Sequence, residues 1–348
     1  MLPGKMYIQS MGANMIKDSI ILLLSFLIVA FCTSSICAET SGRLKIGHLR
    51  PPGSAIDKDL HWFTEQISSK TDNKISFEIF SGNKLGDYSV VQERVSFGEV
   101  ELYVGPIGTS IDRRLILATT PYLVNSWAEA KKVYSQDSEL FQTIARILEE
   151  QNIRLIGGWP VYFGGIALTE QPPQPGNPDI SKKLIIRVPP IRSFELTAKQ
   201  LGYTPYPITW TYAKMGLKTG MVAGMIGGGA EGYAGLKGLI KYYIPVKDHF
   251  EYWFVYMNMD AWNTLAADEK ELFTTTAKEM EARRYAVAES LEKESVLQLE
   301  NQGTTIIKLS EAELEAMRMK VQQKVWPVLE KEIGPEFSRI ISATQNPQ

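Results

Sequence analysis

Alternating polar and apolar positions near the start of the chain predict buried strands that are separated by helices. The segments RLKIGHL (43–49) and KISFEIF (74–80) alternate with the period of two expected for a strand, and VELYVG (100–105) is predicted as a further strand. Helices are predicted between them, through residues 60–69 and around residues 90–97. This order of strand, helix, strand, helix and strand is typical of an α/β fold with a mainly parallel sheet.

A second unit of the same kind is predicted after Trp159. A helical stretch (128–151) leads to a strand (154–159), and TEQPPQPGNPD (169–179) contains four prolines and predicts a loop or linker. The segment KKLIIRV (182–188) then predicts a strand that Pro189 and Pro190 stop. We expect the next helix to be capped by Ser193 and ended by Gly202.

The last third of the chain has a different pattern. Residues 268–302 contain neither proline nor glycine, which predicts one helix about 50 Å long. A helix of that length must either lie across two domains or protrude. A short strand (304–309) and a final amphipathic helix are predicted to follow.

The first 38 residues predict a secretory signal peptide. Lys17 precedes an apolar run (20–32), and the small-residue segment SSICA ends at Ala38, where we expect cleavage. The run is shorter than the roughly 20 residues of a membrane-spanning helix, although an uncleaved membrane anchor is the alternative. Because Cys32 and Cys37 lie in this segment, the mature chain has no thiol and no disulfide.

Composition and motifs exclude several classes of function. The formal net charge of −2 argues against nucleic acid as a partner. Neither a phosphate-binding G-x-x-x-x-G-K-[ST] loop nor a G-x-S-x-G nucleophile motif occurs, and His48, His61 and His249 lack metal-ligand spacing. We therefore expect no catalytic residue, no metal and no cofactor.

The glycine-rich stretch GGGAEG (227–232) matches the dinucleotide fingerprint G-x-G-x-x-G, and Asp248 lies where a ribose-binding acid is expected. However, three further glycines follow in GYAGLKGLIKYY, where a dinucleotide site needs a well-formed helix, and Pro245 interrupts the next candidate strand. A backbone that passes close to a ligand or to other chain, or a hinge, is the preferred interpretation.

Arg187 is the charged residue of the apolar strand LIIRVPP (184–190). Ligands bind at strand ends in open α/β sheets, and a guanidinium there can hold a carboxylate with two hydrogen bonds. An internal salt bridge is the alternative, because an unpaired buried charge is very costly. The residue itself leaves both interpretations open.

In combination, eight segments resemble the solute receptors of tripartite ATP-independent periplasmic (TRAP) transporters. They occur in that family's order and spacing: RLKIGH, SGNKLGD, the helix end at Gly98, PYLVNSWAEAKKV, KKLIIRVPP, LGYTPYPITW, LKTGMVAGM and MDAWNTLAADEKELF. The resemblance implies a two-lobed periplasmic binding protein fold, with discontinuous α/β domains joined by hinge strands and one long helix spanning both. After the signal peptide (1–38), lobe I is expected at 39–162 plus 252–290, and lobe II at 163–251 plus 291–348.

The resemblance also implies a site and a function. Arg187 matches the arginine that pairs with the substrate carboxylate, and Trp210 matches an aromatic lining residue. The other positions that fall in the family's pocket segments are His48, Tyr88, Trp159, Gly227 and Gly228. The implied function is a periplasmic receptor that closes around an organic acid and delivers it to a membrane permease. A sensor or an enzyme built on the same cleft is the alternative.

Two departures from the family pattern bear on the ligand. The family's second arginine is missing from VYFGGIAL (161–168), and its V-D-G-x-E-N pattern is VAGMIG (222–227) here. Because the aromatic positions are occupied while these polar side chains are missing, we expect one carboxylate at Arg187, a body stacked between Trp159 and Trp210, and a larger or more apolar ligand than a small sugar acid. Arg50 or Arg192 is the alternative second cation, which would restore a dicarboxylate.

Overall fold

The computed structural model describes residues 43–345, in which two β-sheets form the framework. The first sheet has the order β2-β1-β3-β10-β4. Strands β1, β2 and β3 are mutually parallel, whereas β10 runs antiparallel to both of its neighbours. The strands of the first sheet are β1 (Leu44–His48), β2 (Phe77–Phe80), β3 (Leu102–Gly105), β4 (Ile153–Phe163) and β10 (Phe250–Asn258).

The second sheet has the order β11-β9-β5-β8-β6-β7. Strands β6, β7 and β8 are parallel where they pair, and β5 is antiparallel to β8 and β9. Its strands are β5 (Ile166–Leu168), β6 (Ile185–Val188), β7 (Thr204–Pro207), β8 (Gly224–Met225), β9 (Tyr242–Ile244) and β11 (Thr305–Ile306).

Two adjacent segments carry the chain between the sheets, one after β4 (164–165) and one after β9 (245–249). They are hydrogen-bonded to each other, since Gly164 donates its backbone N–H to His249 and accepts from Lys247, at 2.8 and 3.0 Å. The Cβ of any other residue at position 164 would overlap the His249 ring. Glycine is thus required for this close approach.

Helices cover both sheets and connect their strands. They are α1 (Ala55–Lys70), α2 (Tyr88–Ser96), α3 (Trp127–Val133), α4 (Glu139–Glu149), α5 (Arg192–Gln200), α6 (Trp210–Lys218), α7 (Ala230–Ala234), α8 (Met259–Thr264), α9 (Ala267–Asn301), α10 (Glu311–Ile333) and α11 (Pro335–Gln345), together with a 3-10 helix (Arg113–Thr119). Within residues 43–345, no helix combines the length and the apolar character needed to cross a bilayer. The predicted signal peptide lies outside the described residues.

The long helix α9 confirms the prediction of one uninterrupted helix that spans both sheets. Phe273 and Met280, in its first half, are buried in the core that covers the first sheet. Leu299, near its end, is buried with Tyr243 against the second sheet. Its length therefore ties the two sheets together.

The predicted helix 128–151 is wrong in one respect, because the structure has two helices there, α3 and α4. The N-cap residue of α4 is Ser138, whose side chain accepts a hydrogen bond from the backbone N–H of Phe141. A serine in this role satisfies one of the free N–H groups at the start of a new helix. The final helix is likewise divided, into α10 and α11, at Gly334, which has a φ of 99°.

The predicted cap at Ser193 is also wrong. Helix α5 begins at Arg192 with Ile191 as its N-cap residue. Ser193 is fully buried, and its hydroxyl lies 2.9 Å from that of Thr119 on the 3-10 helix. The side chain therefore joins two parts of the chain that are distant in sequence, and a sequence motif for capping carries no information about that contact.

Gly158 allows close packing in the middle of β4, so a larger residue there is expected to destabilise the fold. A Cβ at this position would overlap the side chain of Tyr252, which donates a 2.7 Å hydrogen bond to Glu281. Because this region is buried, Gly158→Ala should lower the free energy of unfolding by about 1–3 kcal/mol, as overpacking does, measured by urea denaturation.

Gly235→Ala is the matched control, since its Cβ would meet the nearest atom at an ordinary 3.5 Å. It should leave stability within about 1 kcal/mol of the wild type. Equal losses in the two variants would contradict the packing argument.

Candidate functional site

A small cavity lies where the two sheets face each other, and residues from both sides form its wall. About 50 Å³ is accessible to the centre of a water molecule, which is room for a few waters or a compact ligand. The residues contributed by the first side are Leu49, Arg50, Tyr88, Pro106, Thr119, Tyr162, Glu251 and Trp253. Those contributed by the second side are Arg187, Pro189, Ile191, Phe194, Trp210 and Gly227.

Arg187 lies on β6, and its buried guanidinium is fixed by backbone carbonyls. Its Nε donates to the carbonyl of Ile208 at 2.7 Å, and one terminal nitrogen donates to that of Ile226 at 3.3 Å. Across residues 43–345, no carboxylate lies within ion-pair distance of it, so the alternative of an internal salt bridge is not realised. Burial lowers the pKa of this guanidinium from its usual value, but an arginine remains protonated. The cavity wall thus carries an oriented and uncompensated positive charge.

Arg50 brings a second guanidinium to the cavity from the loop after β1. One terminal nitrogen donates to the hydroxyl of Tyr162 at 3.3 Å. The charged group lies 5.5 Å from the ring centroid of Trp210 and 5.4 Å from that of Trp253, within range of cation–π attraction. Its buried Nε has no hydrogen-bond partner among the described residues. A donor of this kind is available to an anion.

His48 supports the Arg50 loop from behind. Its Nδ1 accepts the backbone N–H of Arg50 at 3.3 Å, and its Nε2 lies 3.0 Å from the carboxylate of Asp57. Burial lowers the pKa of His48, although Asp57 opposes this shift, and a neutral ring with its proton on Nε2 fits both contacts. Burial by itself would raise the pKa of Asp57, but hydrogen bonds from Ser81, Gly53 and His48 hold it at about 2.

A buried acid–base cluster of Asp248, His249 and Glu251 lies at the start of β10. His249 is 1% exposed, and its two ring nitrogens lie 2.7 Å from Asp248 and 3.3 Å from Glu251. Burial alone would lower the pKa of His249, but the two carboxylates outweigh it and raise the pKa to about 10. Glu251 also accepts a 2.6 Å hydrogen bond from the indole N–H of Trp253. Its carboxylate is the acidic group of the cavity wall.

A family model described as bacterial extracellular solute-binding protein, family 7, matches residues 46–332. The chain belongs to this family. A solute-binding protein of Roseobacter denitrificans is 24% identical over 317 residues, which cover 87% of this chain and 94% of that protein.

Solved structures of TRAP periplasmic solute-binding proteins share the fold of this family 7 protein. One from Desulfovibrio salexigens, with bound orotic acid, has a TM-score of 0.80 at 17% identity and covers 87% of this chain and 97% of its own. One from Haemophilus influenzae, with bound L-gulonate, has a TM-score of 0.79 at 21% identity, covering 87% and 98%. The predicted TRAP receptor family and two-lobed fold are confirmed.

The structure brings four of the predicted site residues of the family 7 protein together in the cavity wall, namely Arg187, Trp210, Tyr88 and Gly227. Trp159, His48 and Gly228 are not among the described lining residues. Their assignment as ligand contacts stays a prediction.

Trp159 is fully buried beside the cavity. Its indole N–H donates to Asp59 at 2.8 Å, the guanidinium of Arg284 lies 4.1 Å from its ring centroid, and the ring of Trp253 lies 5.4 Å away. Trp253 is therefore the member of this aromatic pair that lines the cavity.

The glycines of GGGAEG allow other parts of the protein to approach the backbone closely. A Cβ on Gly227, which has a φ of 80°, would overlap Pro189, and one on Gly228 would lie 2.8 Å from the ring of Tyr233. A Cβ on Gly232 would lie 3.1 Å from the guanidinium of Arg50. Other residues therefore fill the space beside these three glycines, although Gly227 itself belongs to the cavity wall.

Sequence reasoning missed Trp253, Tyr162 and Glu251 and gave Arg50 only as an alternative. One signal was present, since Glu251 is the charged residue of the apolar strand FEYWFVYMN, as Arg187 is of its own strand. Arg192, the other alternative cation, is half-exposed and pairs with Glu195 and Glu332 at 3.4 and 3.6 Å. It is not among the lining residues described.

The raised pKa of His249 predicts a loss of stability at alkaline pH. A group whose pKa rises on folding stabilises the fold fully below its unfolded pKa, about 6.5, and loses this contribution as pH approaches the folded value. The difference in free energy of unfolding between the wild type and His249→Gln should therefore shrink from about pH 7 to about pH 10. Urea denaturation measures it, and a difference independent of pH would contradict the prediction.

Proposed function

We propose that this family 7 protein is the periplasmic receptor of a TRAP transporter and that it binds an organic acid through Arg187. The observation that carries the proposal is the buried guanidinium in the cavity wall, which two carbonyl groups orient and which no described carboxylate compensates. A guanidinium presents paired donors that match the two oxygens of a carboxylate. The acids named for the related structures, among them orotic acid and L-gulonate, support the same class of ligand.

The cavity favours a compact acid with a flat or apolar body. The rings of Trp210, Trp253 and Phe194 line it, and its accessible volume is small. This volume does not support the larger ligand expected from the sequence, whereas the aromatic wall agrees with an apolar body. In the proposal, Trp253 takes the stacking role that the sequence assigned to Trp159.

Binding is proposed to couple to closure because the ligand touches both sides. Arg187 and Trp210 belong to the second side of the cavity, and Arg50 and Trp253 to the first. Next to Trp210 and Tyr88 in sequence, the hydroxyl of Thr211 on α6 donates to Asp87, the N-cap residue of α2, at 3.2 Å and joins the two sides. A ligand that completes contacts on both sides shifts the equilibrium toward the closed form by its differential affinity.

The remaining parts of the proposal concern location, domains and partners. The signal peptide (1–38) directs export to the periplasm, lobe I comprises 39–162 plus 252–290, and lobe II comprises 163–251 plus 291–348. The closed form delivers its ligand to the integral membrane permease of a TRAP transporter. The protein releases the acid unchanged, as a receptor and not an enzyme does.

Removal of the Arg187 guanidinium tests the proposal. Native mass spectrometry of the purified protein identifies a retained acid, and an organic-acid panel supplies ligands for calorimetry. Arg187→Ala should weaken binding by about a hundredfold or more, since a buried charged hydrogen-bonding partner is removed. Arg187→Lys should bind at an intermediate level, because it keeps the charge without the paired donors.

Arg192→Ala is the matched control, because this arginine lies on the neighbouring helix and pairs with surface acids. It should bind as the wild type does. Circular dichroism confirms that each variant is folded. Unchanged affinity in a folded Arg187→Ala variant would refute the proposed anchor, and conversion of the acid to a product would refute the receptor function.

A further inference from the structure

An acid in the wall of an anion-binding cavity is unexpected and needs a physical explanation. Glu251 shares this wall with Arg50 and Arg187. The side chain is 13% exposed, and no described arginine or lysine lies within ion-pair distance of it. Two guanidinium groups and one carboxylate leave the wall with a net charge of +1, which matches one carboxylate on a ligand and not two.

Two tryptophans of the wall contact its charged groups. Arg187 and Arg50 lie 5.6 and 5.5 Å from the ring centroid of Trp210. Arg50 also lies 5.4 Å from the centroid of Trp253, whose N–H is bonded to Glu251. Trp210 therefore lies beside both guanidinium groups, and Trp253 lies beside Arg50 and is bonded to Glu251.

Glu251 keeps acceptor capacity for a ligand. One of its oxygens accepts from Trp253 at 2.6 Å, and the other lies 3.3 Å from the Nε2 of His249. A carboxylate has about four acceptor positions, so about two remain. Asp248 lies 2.7 Å from the other ring nitrogen of His249. Two carboxylates and one protonated histidine give this cluster a net charge of −1, and Glu251 is its member in the cavity wall.

We propose that Glu251 is a specificity residue, which accepts a hydrogen bond from a donor on the ligand, such as a hydroxyl group, and repels a second carboxylate. This inference rests on the proposed function, because it presumes that Arg187 holds the first carboxylate. The preferred ligand class is a monocarboxylate with a hydrogen-bond donor on its body. Dicarboxylates of the same length are excluded, since like charges brought together in a partly desolvated site repel strongly.

Glu251→Gln tests this inference, since glutamine has the same shape and keeps an oxygen for the Trp253 N–H. The probes are hydroxylated monocarboxylates, their unsubstituted parents and dicarboxylates of equal length, each titrated by calorimetry. The wild type should prefer hydroxylated monocarboxylates and bind dicarboxylates at least about tenfold more weakly. In Glu251→Gln, the preference for the hydroxyl group should fall about tenfold and dicarboxylate binding should rise.

Glu281→Gln is the matched control. Glu281 is also buried and accepts a hydrogen bond from an aromatic residue of β10, Tyr252, but it lies outside the described cavity wall. It should retain wild-type selectivity. A wild type that prefers dicarboxylates, or a Glu251→Gln variant with selectivity equal to that of Glu281→Gln, would overturn the inference while carboxylate binding through Arg187 stands. Failure of every acid to bind the wild type would instead refute the proposed function, and this inference with it.

Discussion

The central constraint of the site is the positive charge of Arg187, which lies where the two sheets face each other and has no carboxylate within ion-pair distance among residues 43–345. The carbonyl groups of Ile208 and Ile226 fix the guanidinium of Arg187 and supply only part of the solvation that water would give. Burying an unpaired charge costs several kcal/mol. In the proposed function, an anion that enters the cavity removes much of this cost, and closure of both sides over it strengthens the contact by excluding water. The contact between the ligand's negative charge and Arg187 would therefore couple binding to closure of the cavity.

A second layer of contacts fixes the groups that surround this charge. His48 joins the Arg50 backbone to Asp57, and the absence of a side chain at Gly232 lets the Arg50 guanidinium approach helix α7. Neither His48 nor Gly232 is among the residues described as lining the cavity, and both contact Arg50. Geometry of this kind lowers the reorganisation required on binding, which is how rigid sites gain affinity.

Periodicity and charge within single strands predicted much of the fold and one end of the site. Arg187 was identifiable because it interrupts an apolar strand, and the long helix because proline and glycine are absent from it. Local pattern does not predict whether Trp159 or Trp253 lines the cavity. The two lie directly opposite each other on β4 and β10, but β10 runs in the interior of the sheet and β4 at its edge. Which ring reaches the cavity depends on strand order, a long-range property that local pattern does not contain.

The glycine-rich segment is a second case in which the local sequence does not determine the contacts that the segment makes. GGGAEG matches a nucleotide motif or a ligand-facing wall, yet Pro189, Tyr162 and Tyr233 fill the space beside its first three glycines. Those residues come from other parts of the fold, so the motif alone does not predict these contacts. The cavity keeps two guanidinium groups although residues 161–168 contain no arginine, because Arg50 approaches from the loop after β1. The two guanidinium groups thus come from opposite sides of the cavity, and the proposed function has a bound acid held between those sides.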